Sequence, residues 1–264
     1  MLFKVISDLH VDINRSLVAD MKFDKNAFYL IAGDISGDRI KTMNFLQSKD
    51  IQGVFVEGNH LGYNEVTGGM LDSKEKSNLF LAERFPLDNK MRFLENNYVV
   101  INDIVIVGCT LYTDFTLFHN QPLHAEIART SMNDFRYVKT IDNNGKLRTV
   151  NPNDYINWFN NSINYIKDIC EKFKNSKIVV VTHFVPSIKG IENMYKHDLV
   201  TPAYATSLDQ FILDRPNIKL WVNGHTHHQC EYSIGDTKVI CNPFGYMNEN
   251  LIDMNKVLGV DIEI

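Results

Sequence analysis

Cysteine is scarce in this 264-residue chain: there are four, Cys109, Cys170, Cys230 and Cys241, and no two have CxxC spacing. The simple reading is a chain of reduced, buried thiols in the cytoplasm, with disulfide pairing of an even set as the alternative. No apolar stretch is long enough to span a bilayer. No secretory signal is expected, because Met1-Leu2-Phe3-Lys4 reads directly into a strand. Positive charge is not in excess: 27 Lys and Arg stand against 32 Asp and Glu, for a net charge of −5. That argues against a general nucleic-acid-binding protein, which would carry a basic face, though a nucleotide or oligonucleotide substrate stays compatible. Nothing resembles a linker, so one domain over 1–264 is expected, with enough apolar content for a layered core.

What the chain does have is five polar clusters, each after a short apolar run. Leu2–Ile6 ends at Ser7-Asp8-Leu9-His10, Ala27–Ala32 at Gly33-Asp34, and Gly53–Glu57 at Gly58-Asn59-His60. Lys177–Val181 ends at Thr182-His183, and Ile218–Val222 leads past Asn223 to Gly224-His225-Thr226-His227. Runs of this length are strands rather than helices. In open α/β sheets, sites lie outside the carboxyl ends of strands. Each cluster alone has an ordinary explanation: a helix cap, a turn dipeptide, a left-handed Asn or a satisfied core histidine. Jointly they hold two carboxylates, one amide and five imidazoles, an inventory suited to a two-metal hydrolytic site.

The order D-x-H, G-D, G-N-H, H, G-H-x-H resembles the calcineurin-like metallophosphoesterases. Phe93–Asn97, Val105–Phe115, Met132-Asn133-Asp134-Phe135-Arg136 and Val239–Tyr246 are similar to small stand-alone bacterial and phage members. The resemblance implies an α/β fold, a four-layer αββα sandwich of two mixed β-sheets flanked by helices. It implies that Asp8, His10 and His227 hold one metal ion, that Asn59, His183 and His225 hold another, and that Asp34 bridges the two. A water or hydroxide would complete the bridge and attack phosphorus in line, with His60 as general acid to the leaving alkoxide. Mn, Fe, Zn and Ni all accept this donor set.

The chain departs from the family at three places. Gly37 stands where relatives often carry an aspartate that orients the histidine, and Asp38-Arg39 follow one residue later. Asp38 is read as the N-cap of a helix beginning near Arg39, and a helix is expected across Thr42–Lys49. Leu61 and Phe184 replace a carboxylate and a second histidine. Further helices are expected over Ser77–Arg84, Asp154–Lys172 and Ser207–Asp214, with hairpins Tyr98–Ile101/Ile104–Gly108 and Cys230–Ile234/Lys238–Cys241 and a final strand Val257–Ile264. The polar stretch from about 111 to 150 reads as a partly ordered lid. Asp114, Asn133, Asp134, Arg136 and Tyr137 are its candidate substrate contacts, Arg136 as a bidentate phosphate ligand.

The expected activity is hydrolysis of a small phosphodiester, nucleotide-like or otherwise. The alternatives are a phosphomonoesterase, protein phosphatases included, and a non-catalytic scaffold that has kept its metal ligands.

Overall fold

A computed structural model describes residues 3–14, 18, 21–63, 90–142, 144–246, 249 and 260–262. Two mixed sheets form its centre. The first contains β1 (Phe3–Ile6), β2 (Phe28–Ile31), β3 (Gln52–Phe55), β4 (Met91–Phe93) and β13 (Val260–Ile262), in the order β13-β1-β2-β3-β4. The second contains β5 (Asn97–Ile101), β6 (Ile104–Cys109), β9 (Lys177–Thr182), β10 (Ile218–Asn223), β11 (Cys230–Ile234) and β12 (Thr237–Cys241), in the order β11-β12-β10-β9-β6-β5. The central strands are parallel and covered on both faces, which is why their sequences are unbroken apolar runs instead of alternating ones.

Three apolar clusters define the layers. Phe3, Val5, Leu30 and Val54 of the first sheet meet Ile106, Val179, Val181 and Leu220 of the second. The outer face of the first sheet packs Tyr29, Ile31 and Phe55 with Leu46, from helix α1 (Arg39–Lys49). The outer face of the second packs Val107, Val180 and Trp221 with Tyr155, Phe159 and Ile166, from a 21-residue helix at Pro152–Lys172. Helix, sheet, sheet and helix are the four layers that the family resemblance implies.

Asp38 caps α1, its carboxylate accepting from Lys41 N at 2.9 Å. The Pro152–Lys172 helix starts two residues earlier than expected because Asn151, not Asp154, is its cap. Asp154 closes a capping box from the third position and also pairs with Arg148. The Ser207–Asp214 expectation shortens to a helix at Asp209–Leu213. Both hairpins form. The final strand is described at Val260–Ile262, antiparallel to β1. The Ser77–Arg84 helix lies outside the described residues.

The 111–150 stretch differs from a partly ordered lid. It holds α2 (Gln121–Ser131), α3 (Asp134–Tyr137) and a hairpin of β7 (Lys139–Ile141) and β8 (Leu147–Thr149). Leu111, Tyr112, Phe115, Phe135, Val138 and Val150 are buried with the Pro152–Lys172 helix, which becomes α4 in chain order, and α5 is Asp209–Leu213. Its polar sequence belongs to the solvent face, while these apolar residues are too widely spaced to register as one helix or strand period.

Register brings the five clusters to one edge. Ile6 pairs with Ile31 and Ile31 with Phe55, so the Asp8, Asp34 and Asn59 loops leave the first sheet side by side. Gly108 and Val222 flank Val181, so the His183 and His225 loops leave the second sheet together. The sheets are tied at this edge by a Ser7–Pro243 bridge and by His225 N donating to both Asp8 carboxylate oxygens at 3.1 Å.

Candidate metal centre

Asp8, His10, Asp34, His225 and His227 all have left-handed backbones, with φ between 43° and 77°. Residues with a Cβ rarely accept this conformation, which costs on the order of 1–3 kcal/mol each and collects at functional sites. Here it turns each chain back at a strand end so that the side chains converge. Gly58 makes the turn beneath Asp34: its φ is 87°, and a Cβ there would lie 2.1 Å from Asp34 Oδ1. Gly58→Ala is therefore expected to lower Tm by several degrees and to weaken metal uptake, both readable by thermal denaturation with and without Mn²⁺. An unchanged Tm with unchanged metal response would contradict this packing.

Three overlapping sets of ligand atoms result: Asp8, His10 and His227; Asp8, Asp34 and His183; His10, Asp34 and His60, with the atoms of each set within 4.8 Å of one another. His227 Nε2 is 3.4 Å from Asp8 Oδ1 and 3.1 Å from His10 Nε2. His183 Nε2 is 3.2 Å from Asp34 Oδ2 and 3.0 Å from Asn59 Oδ1. Asp8, His10 and Asp34 each belong to two of the three sets, so the sets form one continuous cluster.

The polar atoms fit a cation. His183 Nδ1 bonds the carbonyl of Ala32 at 2.8 Å, so it carries the proton, and Nε2 is left to face two oxygen acceptors. Among the described residues, His225 Nε2 and His10 Nδ1 are buried without a hydrogen-bond partner. Lone pairs crowded in this way repel unless a proton or a metal ion lies between them. Mixed imidazole, amide and carboxylate donors suit divalent transition ions.

With protein groups as the only partners, protons fill that role. Burial opposes charging His183, yet the Asp34 carboxylate lifts its pKa to about 9. Burial likewise opposes His227, and the Asp8 hydrogen bond and charge raise it to about 9. Burial would raise both aspartates, but the histidines hold Asp8 at about 2 and Asp34 well below the carboxylate range. Burial lowers His10 to about 4 and drives His225 well below the usual histidine value. Ion binding displaces such protons, so uptake releases them.

The other site histidines occupy distinct places. His225 joins none of the three sets; its ring is stacked on Phe184 at 4.1 Å and Tyr204 at 5.0 Å, and meets His183 edge-on at 4.9 Å. Phe184, the departure from the family pattern, thus forms the wall behind His225. His60 lines the cavity with Nε2 3.8 Å from Asp34 Oδ2, close enough to fall in one ligand set. Its nearest side-chain partner is the Tyr246 hydroxyl at 3.3 Å. Arg39 pairs with Glu57 at 3.0 Å, and Asp38 caps α1.

The cavity over these residues has a volume of about 490 Å³. Asn133, Asp134 and His228 line it, but Asp114, Arg136 and Tyr137 do not. Asp114 is consumed by its own turn, accepting from Thr116 and Thr206, and Arg136 is exposed and donates to the Thr130 carbonyl. His124 bonds the Leu199 carbonyl and also stays outside.

Sequence reasoning missed Glu249, whose carboxylate lies 2.8 Å from His227 Nδ1, and Tyr246 as the partner of His60. A ligating histidine normally gives its second nitrogen to such a carboxylate. Glu249 has no local signal, and the Val239–Tyr246 segment does not point to His60, because both pairings link positions distant in the chain.

A family model of calcineurin-like phosphoesterases matches residues 1–229. Among solved structures, phosphopantetheinyl hydrolase from Mycobacterium tuberculosis superposes with a TM-score of 0.70 at 16% identity, covering 93% of this chain and 89% of that one. A Staphylococcus aureus protein named as a candidate 5′-nucleotidase gives a TM-score of 0.47 at 14% identity, covering 93% of this chain and 48% of that one. No curated protein matches. With the family model spanning most of its length, and the fold and donor set in agreement, the chain belongs to the calcineurin-like phosphoesterase family and is a metal-dependent phosphoester hydrolase.

Proposed function

We propose that this hydrolase is a phosphodiesterase for a nucleotide-like or other small diester. The cavity wall carries the proposal. Among the described lining residues there is no lysine or arginine, while Tyr63, Tyr195, Tyr204 and Tyr246 supply flat apolar surface with hydroxyl handles. A monoester is close to a dianion at neutral pH, because its second pKa is roughly 6. A diester is a monoanion and needs less positive charge beyond the metals. Aromatic faces suit a base or another flat group on the leaving side.

In this reading Asp8, His10 and His227 hold one divalent ion, Asn59, His183 and His225 a second, and Asp34 both. Mn, Fe, Zn and Ni suit the donors, and availability chooses among them. Bound ions would supply a nucleophile at neutral pH and neutralise the phosphoryl oxygens. His60 gives its proton to the leaving oxygen, and Tyr246 steadies the ring. The 111–150 segment belongs to the one domain and acts as the lid over the pocket, a role supported by Ser131, Met132, Asn133 and Asp134 in its wall.

With Mn²⁺ present, kcat/KM for bis-p-nitrophenyl phosphate is expected to exceed that for p-nitrophenyl phosphate. Faster turnover of the monoester would overturn the diesterase assignment.

A further inference from the structure

Asp134 is a buried carboxylate that makes no ion pair with a lysine or arginine among the described residues. It reaches the metal centre from α3, in the segment that carries the fewest sequence signals. Three donors converge on it. Asn59 Nδ2 donates to Oδ2 at 3.0 Å, the Tyr155 hydroxyl donates to Oδ2, and the Tyr63 hydroxyl donates to Oδ1. The donors come from three places in the fold: the loop after β3, the short 3-10 turn that follows it, and α4.

A carboxylate buried this deeply would be expensive without those bonds, and an apolar side chain would fill the space at lower cost. Its geometry gives a reason to keep it. An amide has one acceptor end and one donor end, and only the oxygen can meet a cation. By accepting from Nδ2, the Asp134 carboxylate leaves Asn59 Oδ1 as the end that faces His183 and Asp34, 3.0 Å from His183 Nε2. The flipped amide would turn its oxygen against the carboxylate and an N–H₂ group toward the metal site.

We propose that Asp134 is the positioning residue that fixes the Asn59 amide with its oxygen toward the metal centre. The role rests on the reading of Asn59 as a metal ligand. Tyr63 and Tyr155 hold the carboxylate in turn, so the 111–150 segment sets ligand geometry as well as covering the pocket.

Asp134→Asn removes the fixed preference and the charge behind it, since a neutral amide can donate to Asn59 Oδ1 as well as accept from Nδ2. The test is titration of Mn²⁺ into chelator-treated protein by calorimetry, with a thermal melt in chelator as the folding control. Asp134→Asn is expected to keep one site intact and to weaken the other roughly 10–100-fold. The exchange Asn59→Asp with Asp134→Asn restores a donor–acceptor pair of opposite sense and offers the metal an oxygen from either rotamer. It is expected to return the weakened site to within a few-fold of the original. Unchanged affinity in Asp134→Asn overturns the proposal. So does an exchange variant that melts no better than Asp134→Asn, or that folds and still binds weakly. Failure of the unsubstituted protein to take up Mn²⁺ would strike the metal reading itself, which separates the two.

Discussion

Replacing Asp34 with asparagine is expected to reduce bound metal from two ions per chain to one or none, and to lower hydrolysis by at least ~10³-fold, the equivalent of several kcal/mol of lost charge stabilisation. The residue has few tolerable substitutes. Its backbone is left-handed, its Oδ1 accepts from His60 N at 3.1 Å, and its Oδ2 faces His183 at 3.2 Å and His60 at 3.8 Å. An asparagine can keep the first bond, but it presents at most one oxygen and carries no charge. In the proposed assignment Asp34 would serve both ions and Asp8 only one, so the loss at Asp34 should exceed that at Asp8. Metal analysis by mass spectrometry, paired with kcat under Mn²⁺, checks this. A variant with two ions and an ordinary rate would remove Asp34 from the centre.

His60→Asn is expected to do the opposite to metal content: both ions stay, and the rate falls roughly 10²–10⁴-fold for esters with poor leaving groups. The loss should shrink for p-nitrophenyl esters, whose leaving oxygen needs little help from an acid. This contrast matters because the geometry allows His60 as a ligand, its ring being within reach of the His10–Asp34 set. A ligand role predicts metal loss and a rate deficit that ignores the leaving group. A plot of log kcat against leaving-group pKa, steeper for the variant than for the parent, supports the acid; parallel lines with a lost ion would assign His60 to the metal.

The site was legible in the sequence wherever its residues follow a strand directly. Asp8, Asp34, Asn59, His183 and His225 each come within a few residues of a buried β-strand, and the parallel register that aligns those ends is a consequence of the same apolar runs. Asp38 was legible as a cap because capping is local. What was not legible depends on contacts made across the whole chain. Glu249 meets His227, Tyr246 meets His60, and Asp134 meets Asn59 across 75 positions. Arg136 and Asp114 were attractive by residue type, but charge alone does not say which face of a short helix or turn a side chain takes. Their bonds to Thr130 and to Thr116 and Thr206 turn them away from the cavity.

The central claim is a binuclear site that hydrolyses phosphate esters. Its most direct measurement is the number of Mn²⁺ ions bound per chain, followed as metal is restored to chelator-treated protein, with bis-p-nitrophenyl phosphate hydrolysis recorded on the same samples. Two ions per chain, with the rate rising as the second is filled and vanishing again in chelator, is the expected result. Hydrolysis that survives complete metal removal, or a protein that takes up no ion, would contradict it.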